Sequence, residues 1–229
     1  KKKSRISARI DRLRDGVTSI TPDVCLERAR LVTEAYEEYK NLPVVLKRAR
    51  ALEKLLSRMS IFIDRDELIV GNQASKSRSA PIFPEYSVEW IEKEIDDFAK
   101  RSGDIFLVDE RMKPELLEIV NYWKGKTVKD RADSTIPEET KKAVLTKAID
   151  AEGNMTSGDG HIVIDFEEVL EKGLDSIIKE IEEELGNLDL SEPQCLKKKT
   201  FLEAAKIALN AAIEYAQRYS EEAERLAKI

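Results

Sequence analysis

Phe201-Leu202-Glu203-Ala204-Ala205-Lys206-Ile207-Ala208-Leu209-Asn210-Ala211-Ala212-Ile213-Glu214-Tyr215-Ala216-Gln217-Arg218-Tyr219 holds neither proline nor glycine and carries the pattern that decides the fold class. Leu202, Ala205, Leu209, Ala212, Ala216, Tyr219, Ala223 and Leu226 recur at alternating spacings of three and four, which places them on one face of an α-helix. Four of these eight are alanine, and small side chains let a second helix come close. The seam therefore reads as one buried against a neighbour rather than as a free-standing coiled coil. Ser191 with Gln194 reads as its capping signal, and Pro193 suits its first turn.

The same periodicity extends backwards. Asp165 with Glu168 resembles a capping box and opens a helix with Phe166, Leu170, Gly173, Ile177, Ile181 and Leu185 on its stripe. Pro137 starts a helix that reaches about Ala151, and another runs from about Pro114 to Trp123 with Leu116, Val120 and Trp123 inward. Gly125-Lys126-Thr127 ends that one. Ser87 is placed to cap a helix showing Val88, Ile91, Ile95 and Phe98 on one face. Thr21, Pro22 and Asp23 read as the opening of the first long helix, with Cys25, Ala29, Val32, Tyr36 and Tyr39 as its stripe. Pro43 begins its partner, with Val45, Ala49, Leu52, Leu56 and Met59 inside, and the short Asn41-Leu42 link makes the two an antiparallel hairpin. Two runs break the helical character: Ile61-Phe62-Ile63 and Leu68-Ile69-Val70 read as short extended segments about the charged turn Asp64-Arg65-Asp66. Residues 71–87 read as an ordered loop, because Ile82, Phe83 and Tyr86 are interleaved with its polar residues. The fold class expected is mainly α, with short extended segments and no internal repeat.

Composition narrows the function. The 229 residues hold 39 Lys and Arg against 45 Asp and Glu, a net charge of −6, which argues against a general nucleic-acid binder. Residues 1–14 carry seven basic side chains against one Asp, and read as a solvated face or a frayed terminus. The sequence shows no apolar run of membrane-spanning length and no secretory leader, and Cys25 and Cys195 lack metal or redox spacing. A reducing cytoplasm is the expected compartment. The chain starts at Lys and stops inside a helical pattern, and so reads as a piece of something longer.

His161 is the only histidine. It closes the loop Asn154-Met155-Thr156-Ser157-Gly158-Asp159-Gly160 and precedes the apolar run Ile162-Val163-Ile164. Histidine titrates near neutrality, so it donates, accepts or charges with small changes in its surroundings. At the level of residue type two readings stand: a turn histidine bonded to a carbonyl, or a group that touches a ligand. Asp159 either orients the imidazole or only favours the turn. Cys25 reads as a core residue, while Cys195, in the first turn of the last helix, has only His161 available as a partner and no orienting third group. No spacing supports a metal site, a dinucleotide fingerprint or a phosphate loop.

Several blocks carry a resemblance to the amino-terminal part of glycyl radical enzymes. They are 5–14 (Arg-Ile-Ser-Ala-Arg-Ile-Asp-Arg-Leu-Arg), 25–34 (Cys-Leu-Glu-Arg-Ala-Arg-Leu-Val-Thr-Glu) and 67–73 (Glu-Leu-Ile-Val-Gly-Asn-Gln). Further along come 80–87 (Ala-Pro-Ile-Phe-Pro-Glu-Tyr-Ser), 122–127 (Tyr-Trp-Lys-Gly-Lys-Thr) and 158–165 (Gly-Asp-Gly-His-Ile-Val-Ile-Asp). They follow the family's order along nearly the whole chain and look more like the glycerol-dehydratase branch than like pyruvate formate-lyase itself. The resemblance implies that 1–229 is an amino-terminal part of a pyruvate-formate-lyase-like domain. It would be the helical wrapping and one pocket wall of a ten-stranded α/β barrel. It also implies a dehydratase acting on a small glycerol-like or diol-like substrate, with His161 hydrogen-bonding a substrate hydroxyl. The glycyl radical would be installed by an S-adenosylmethionine iron–sulfur activating enzyme, and the whole protein would be a homodimer. In the family the reactive groups lie in Gly-Cys-x-Glu and Arg-Val-x-Gly-Tyr loops, and neither pattern occurs here. This stretch is therefore expected to hold no catalytic residue, bind no cofactor or metal itself, and be inactive alone. Ala8 and Ile164 stand where family members often carry proline. The alternatives are a formate C-acetyltransferase of the same family and a non-catalytic helical binding protein.

Overall fold

A computed structural model describes residues 5–149 and 164–228. Among them, two compact units form: one takes in 5–19, 30–77 and 164–228, the other 20–29 and 78–149. The architecture is mainly α, as the sequence predicts, but its two short strands lie at 23–25 and 79–81 and not at the expected extended segments 61–63 and 68–70.

The first unit is helical. Its core element is α9, Pro193–Ala227, which packs on α3, Val44–Arg58, and less extensively on α8, Phe166–Gly186. Four alanines of these two helices are buried, Ala204 and Ala211 of α9 and Ala49 and Ala51 of α3. The expected seam is thus corrected in part. Leu202 and Tyr219 are buried, but Ala216, Ala223 and Leu226 face solvent, and the buried positions Ala204 and Ala211 lie outside the expected seam. In α3 the expected Val45 and Leu52 are exposed, and Ala51 and Leu55 take their place inside. Arg218 of α9 closes the carboxyl end of α3, donating to the carbonyls of Leu56 (2.5 Å) and Met59 (2.6 Å) where the helix dipole is negative.

α1, Arg5–Thr18, forms from the basic start. It is pinned: Arg9 Nε donates to the Asp66 carbonyl at 2.9 Å, and Arg12 holds the Asp66 carboxylate at 2.6 and 2.8 Å. Asp66 sits at φ 75°, a conformation this double grip secures. The runs beside it are not strands. Leu68 and Ile69 stand 81% and 92% exposed, with no partner strand among the described residues to take their backbone groups. α2, Glu27–Glu38, meets α3 through Lys54, whose ammonium lies 3.3 Å from Glu34 and 2.9 Å from Glu38. Burial pushes the Lys54 pKa down, but the bonds to the two glutamates outweigh it and hold the pKa above its ordinary value.

α8 starts where the sequence places it, with the Asp165 carboxylate accepting from the Glu168 N–H at 3.1 Å. It is interrupted at Gly173, which adopts φ 73°, ψ 164°. The apolar stripe resets there: Ile178 and Ile181 are buried, whereas Phe166 and Leu170 before the break are exposed. At the start of α9, Glu192 and not Ser191 occupies the cap position, because Ser191 is engaged with the Asp189 carboxylate.

The second unit holds the two strands. β1, Asp23–Cys25, pairs in parallel with β2, Ser79–Pro81, in the register Asp23↔Ser79, Val24↔Ala80, Cys25↔Pro81. On its other side β1 exchanges backbone bonds with Leu107, Val24 N donating to Leu107 O (2.9 Å) and Leu107 N to Pro22 O (2.8 Å). The capping signal at Thr21-Pro22-Asp23 is therefore overridden. Val24, Cys25 and Leu26 are buried in succession, which an exposed helix start does not allow, and the helix begins at Glu27. α4, Glu89–Glu94, is capped at Val88 and not at the buried Ser87, and Val88, Ile91, Ile95 and Phe98 form the expected inner face. α5, Lys113–Trp123, buries Leu116, Ile119, Val120 and Trp123. Gly125 turns the chain at φ 75° into α6, Val128–Thr135, a helix absent from the sequence reading. α7, Glu138–Leu145, ends well short of Ala151, with Lys147 at φ 56°.

Candidate functional site

His161, the one site residue the sequence singles out, lies outside the described residues, as do Asp159 and the glycine-rich loop. What the structure supplies is the frame of the other motif blocks. Three of them interlock within the second unit.

The first lock is the β1–β2 register, which sets 25–34 beside 80–87. The second is ionic. Arg28, in the first turn of α2, forks onto Glu85 (Nη1–Oε2 3.1 Å, Nη2–Oε1 2.5 Å) and donates to the Ile82 carbonyl at 3.3 Å. Its guanidinium lies 3.8 Å above the Phe83 ring, and the Arg28 and Glu85 side chains are only 14% and 15% exposed. A planar, always-charged group suits this geometry, because one face stacks while the edge pairs. The third lock comes from α6. Its first N–H groups donate to the carbonyls of Glu85 (Val128 N, 2.9 Å) and Tyr86 (Lys129 N, 3.0 Å), so orphan donors of a helix start hold the Pro-Glu-Tyr turn. Thr127 and Asp130 close the reciprocal capping box that makes this start rigid. The bond from the Thr127 hydroxyl keeps the Asp130 carboxyl below its usual range, against a smaller opposing effect of burial.

Arg28 and Glu85 stand within the motif blocks, and no local pattern marks either as a functional residue. The available signal was an arginine among apolar residues and a glutamate framed by Pro84 and Tyr86. In the first unit the block at 67–73 is tied to α9, where the Tyr215 hydroxyl donates to the Asn72 carbonyl at 2.8 Å and accepts from the Asn72 N–H at 3.3 Å.

Cys25 is buried in β1, and Cys195 is half-buried in the first turn of α9. Neither follows a glycine, so neither fits the Gly-Cys-x-Glu setting of a thiyl centre. Among the described residues no cluster of three or more His, Cys, Asp or Glu side chains is arranged to hold a metal ion. Also among the described residues, no helix is long and apolar enough to cross a membrane.

A fold of interlocked helices with its motif blocks in the order of the radical lyases places the chain in a class, and comparison with known proteins agrees. The chain belongs to the pyruvate formate lyase-like family, whose model matches residues 3–229. Within that family it is similar to dehydratases. It is 45% identical over 208 residues to the probable dehydratase YbiW of Escherichia coli, covering 91% of this chain and 26% of that protein. The glycerol-bound B12-independent glycerol dehydratase of Clostridium butyricum superposes with a TM-score of 0.90 at 36% identity, over 96% of this chain and 28% of that one. A glycyl radical enzyme of Archaeoglobus fulgidus superposes with a TM-score of 0.86 at 31% identity, over the same shares. The chain thus spans a little over a quarter of the length of these relatives.

Proposed function

We propose that the polypeptide carrying this sequence is a glycyl radical dehydratase acting on a small vicinal-diol-like substrate. These 229 residues would supply helical wrapping and one wall of the substrate pocket. The observation that carries this reading is the similarity to the glycerol dehydratase along 96% of the chain, at 36% identity.

His161 would contact the substrate. An imidazole that titrates near neutrality holds a hydroxyl in either hydrogen-bonding sense and eases the loss or gain of its proton. The interlocked turn at 82–86 would stiffen its own part of the wrapping. A glycyl radical, where present, supplies hydrogen abstraction through a thiol. The two cysteines here do not fit that task, so no radical step is assigned to these residues. The same reading includes an S-adenosylmethionine iron–sulfur activating enzyme as partner, a homodimeric whole protein, and a cytoplasmic location.

The test is substrate choice by the full-length polypeptide after anaerobic activation. Glycerol or propane-1,2-diol should yield an aldehyde while pyruvate with coenzyme A yields nothing. Acetyl-coenzyme A formation, or a stable glycyl radical signal with no aldehyde from any diol, overturns the dehydratase reading.

A further inference from the structure

α8 breaks where its sequence stripe does not. Gly173 adopts φ 73°, ψ 164°, a region open in practice only to glycine, yet a Cβ there would meet no atom within 4 Å. The backbone turn, and not a shortage of space, is what requires the glycine. Before the turn, residues 166–172 form a two-turn arm on which Phe166 and Leu170 are 61% and 83% exposed; after it, Ile178 and Ile181 are buried.

The neighbouring helix shows what the turn avoids. Glu184 pairs with Lys198 and Glu182 with Lys206, and the link between α8 and α9 is short, so the two run antiparallel. Extended without a break, the same pairing brings Phe166 and Leu170 level with residues 212–222 of α9. At 100° per residue, a continuous α8 would point Leu170 about 20° and Phe166 about 60° away from the buried Ile181. On α9 the exposed Ala216 lies only about 40° from the direction of the buried Leu202, so the α9 face continues open at that level. A straight α8 laid along α9 is therefore the competing arrangement. Glycine at 173 lets the chain leave that line, and an L side chain would press it back.

The arm is continuous in sequence with the motif block 158–165. We propose that Gly173 is a positioning residue: its turn takes residues 164–172 out of the line of α9 and so sets how the block carrying His161 is delivered to the substrate wall. This rests on the reading that His161 meets the substrate hydroxyl.

The test is Gly173→Ala in the full-length protein, read in two ways. With p-benzoylphenylalanine in place of Phe166, irradiation and peptide mass spectrometry should join position 166 to residues 212–222 in the Ala variant and not in the parent. Without the label, and at equal glycyl radical content, Gly173→Ala should lower kcat/KM for a diol substrate by about tenfold or more. In a His161→Ala background the same change should cost less than about twofold, because both act through one side chain. A merely structural role would give equal losses in both backgrounds. Equal losses, an unchanged kcat/KM, an adduct at 212–222 in the parent, or no new adduct in the variant overturns the proposal. If Gly173→Ala does not fold, Gly173→Asn carries the same readouts, since asparagine tolerates positive φ best among side-chain-bearing residues. Failure of the His161 reading shows separately: His161→Ala then leaves kcat/KM intact, while the adduct still follows the residue at 173.

Discussion

Replacing Arg28 with alanine should loosen the second unit by more than any surface substitution can. The guanidinium has three jobs: it forks onto Glu85, donates to the Ile82 carbonyl and stacks on Phe83. Removing it leaves the Glu85 carboxylate without its counter-charge at 15% exposure, a loss of about 3 kcal/mol, the low end for buried pairs because some water still reaches it. The lost stack adds about 1 kcal/mol, for a total near 4 kcal/mol. Lys keeps the charge but neither the fork nor the flat face, and Arg28→Lys should cost about half as much. The double variant Arg28→Ala/Glu85→Ala should fall short of the summed single losses by about 2 kcal/mol, because the second deletion removes the stranded charge. The chain has only two tryptophans, Trp90 and Trp123, and both lie in the second unit. Urea denaturation followed by tryptophan fluorescence therefore reads the affected unit directly. A loss under about 1 kcal/mol for Arg28→Ala, or strict additivity in the double variant, refutes the ionic lock.

Four other perturbations are specific. Gly173→Ala meets no atom within 4 Å but must sit at φ 73°, so it should lower the urea midpoint by the equivalent of about 1–2 kcal/mol. Gly16→Ala, in the last turn of α1 with open space around it, should raise stability by up to about 1 kcal/mol in the same assay. Arg218→Ala strips the carboxyl end of α3 of two donors and a positive charge and should cost about 1–2 kcal/mol, read by thermal unfolding followed by circular dichroism. Thr127→Ala should cost about 1 kcal/mol. It should also return the Asp130 pKa upward, because the Thr127 hydroxyl is the main cause of its depression. A depressed carboxyl adds stability that is full above the unfolded value near 3.9 and is lost as pH falls through the lower folded one. Carboxyl-carbon NMR titration should show Asp130 ionising lower in the parent than in Thr127→Ala; equal values contradict the capping box.

The helices were legible wherever one face met one neighbour. Leu116, Val120 and Trp123 were read correctly because α5 presents a single stripe, and Val88, Ile91, Ile95 and Phe98 for the same reason. Sequence reading failed where a distant segment decided the outcome. Asp23–Cys25 carries a sound local helix signal, and pairing with residues 79–81 and with Leu107 overrode it. Leu68-Ile69-Val70 has strand composition but no partner strand among the described residues. In α9, periodicity gave the helix but not which sides α3 and α8 would bury, because an alanine-rich surface offers several close-packing faces. α6 was signalled only by Thr127 and Asp130 three apart, in a stretch with too few apolar residues to show a period. The motif blocks were visible, but the link from Arg28 to Glu85 spans 57 residues and belongs to the fold.

Whether this stretch forms a substrate wall turns on one side chain. On the proposed dehydratase reading, steady-state kinetics of the activated full-length protein with a diol substrate, parent against His161→Ala, should show kcat/KM reduced by about 10²-fold or more, with the glycyl radical content equal in both. An unchanged kcat/KM would mean that His161 does not touch the substrate hydroxyl, and that this stretch wraps the enzyme without helping to hold what it acts on.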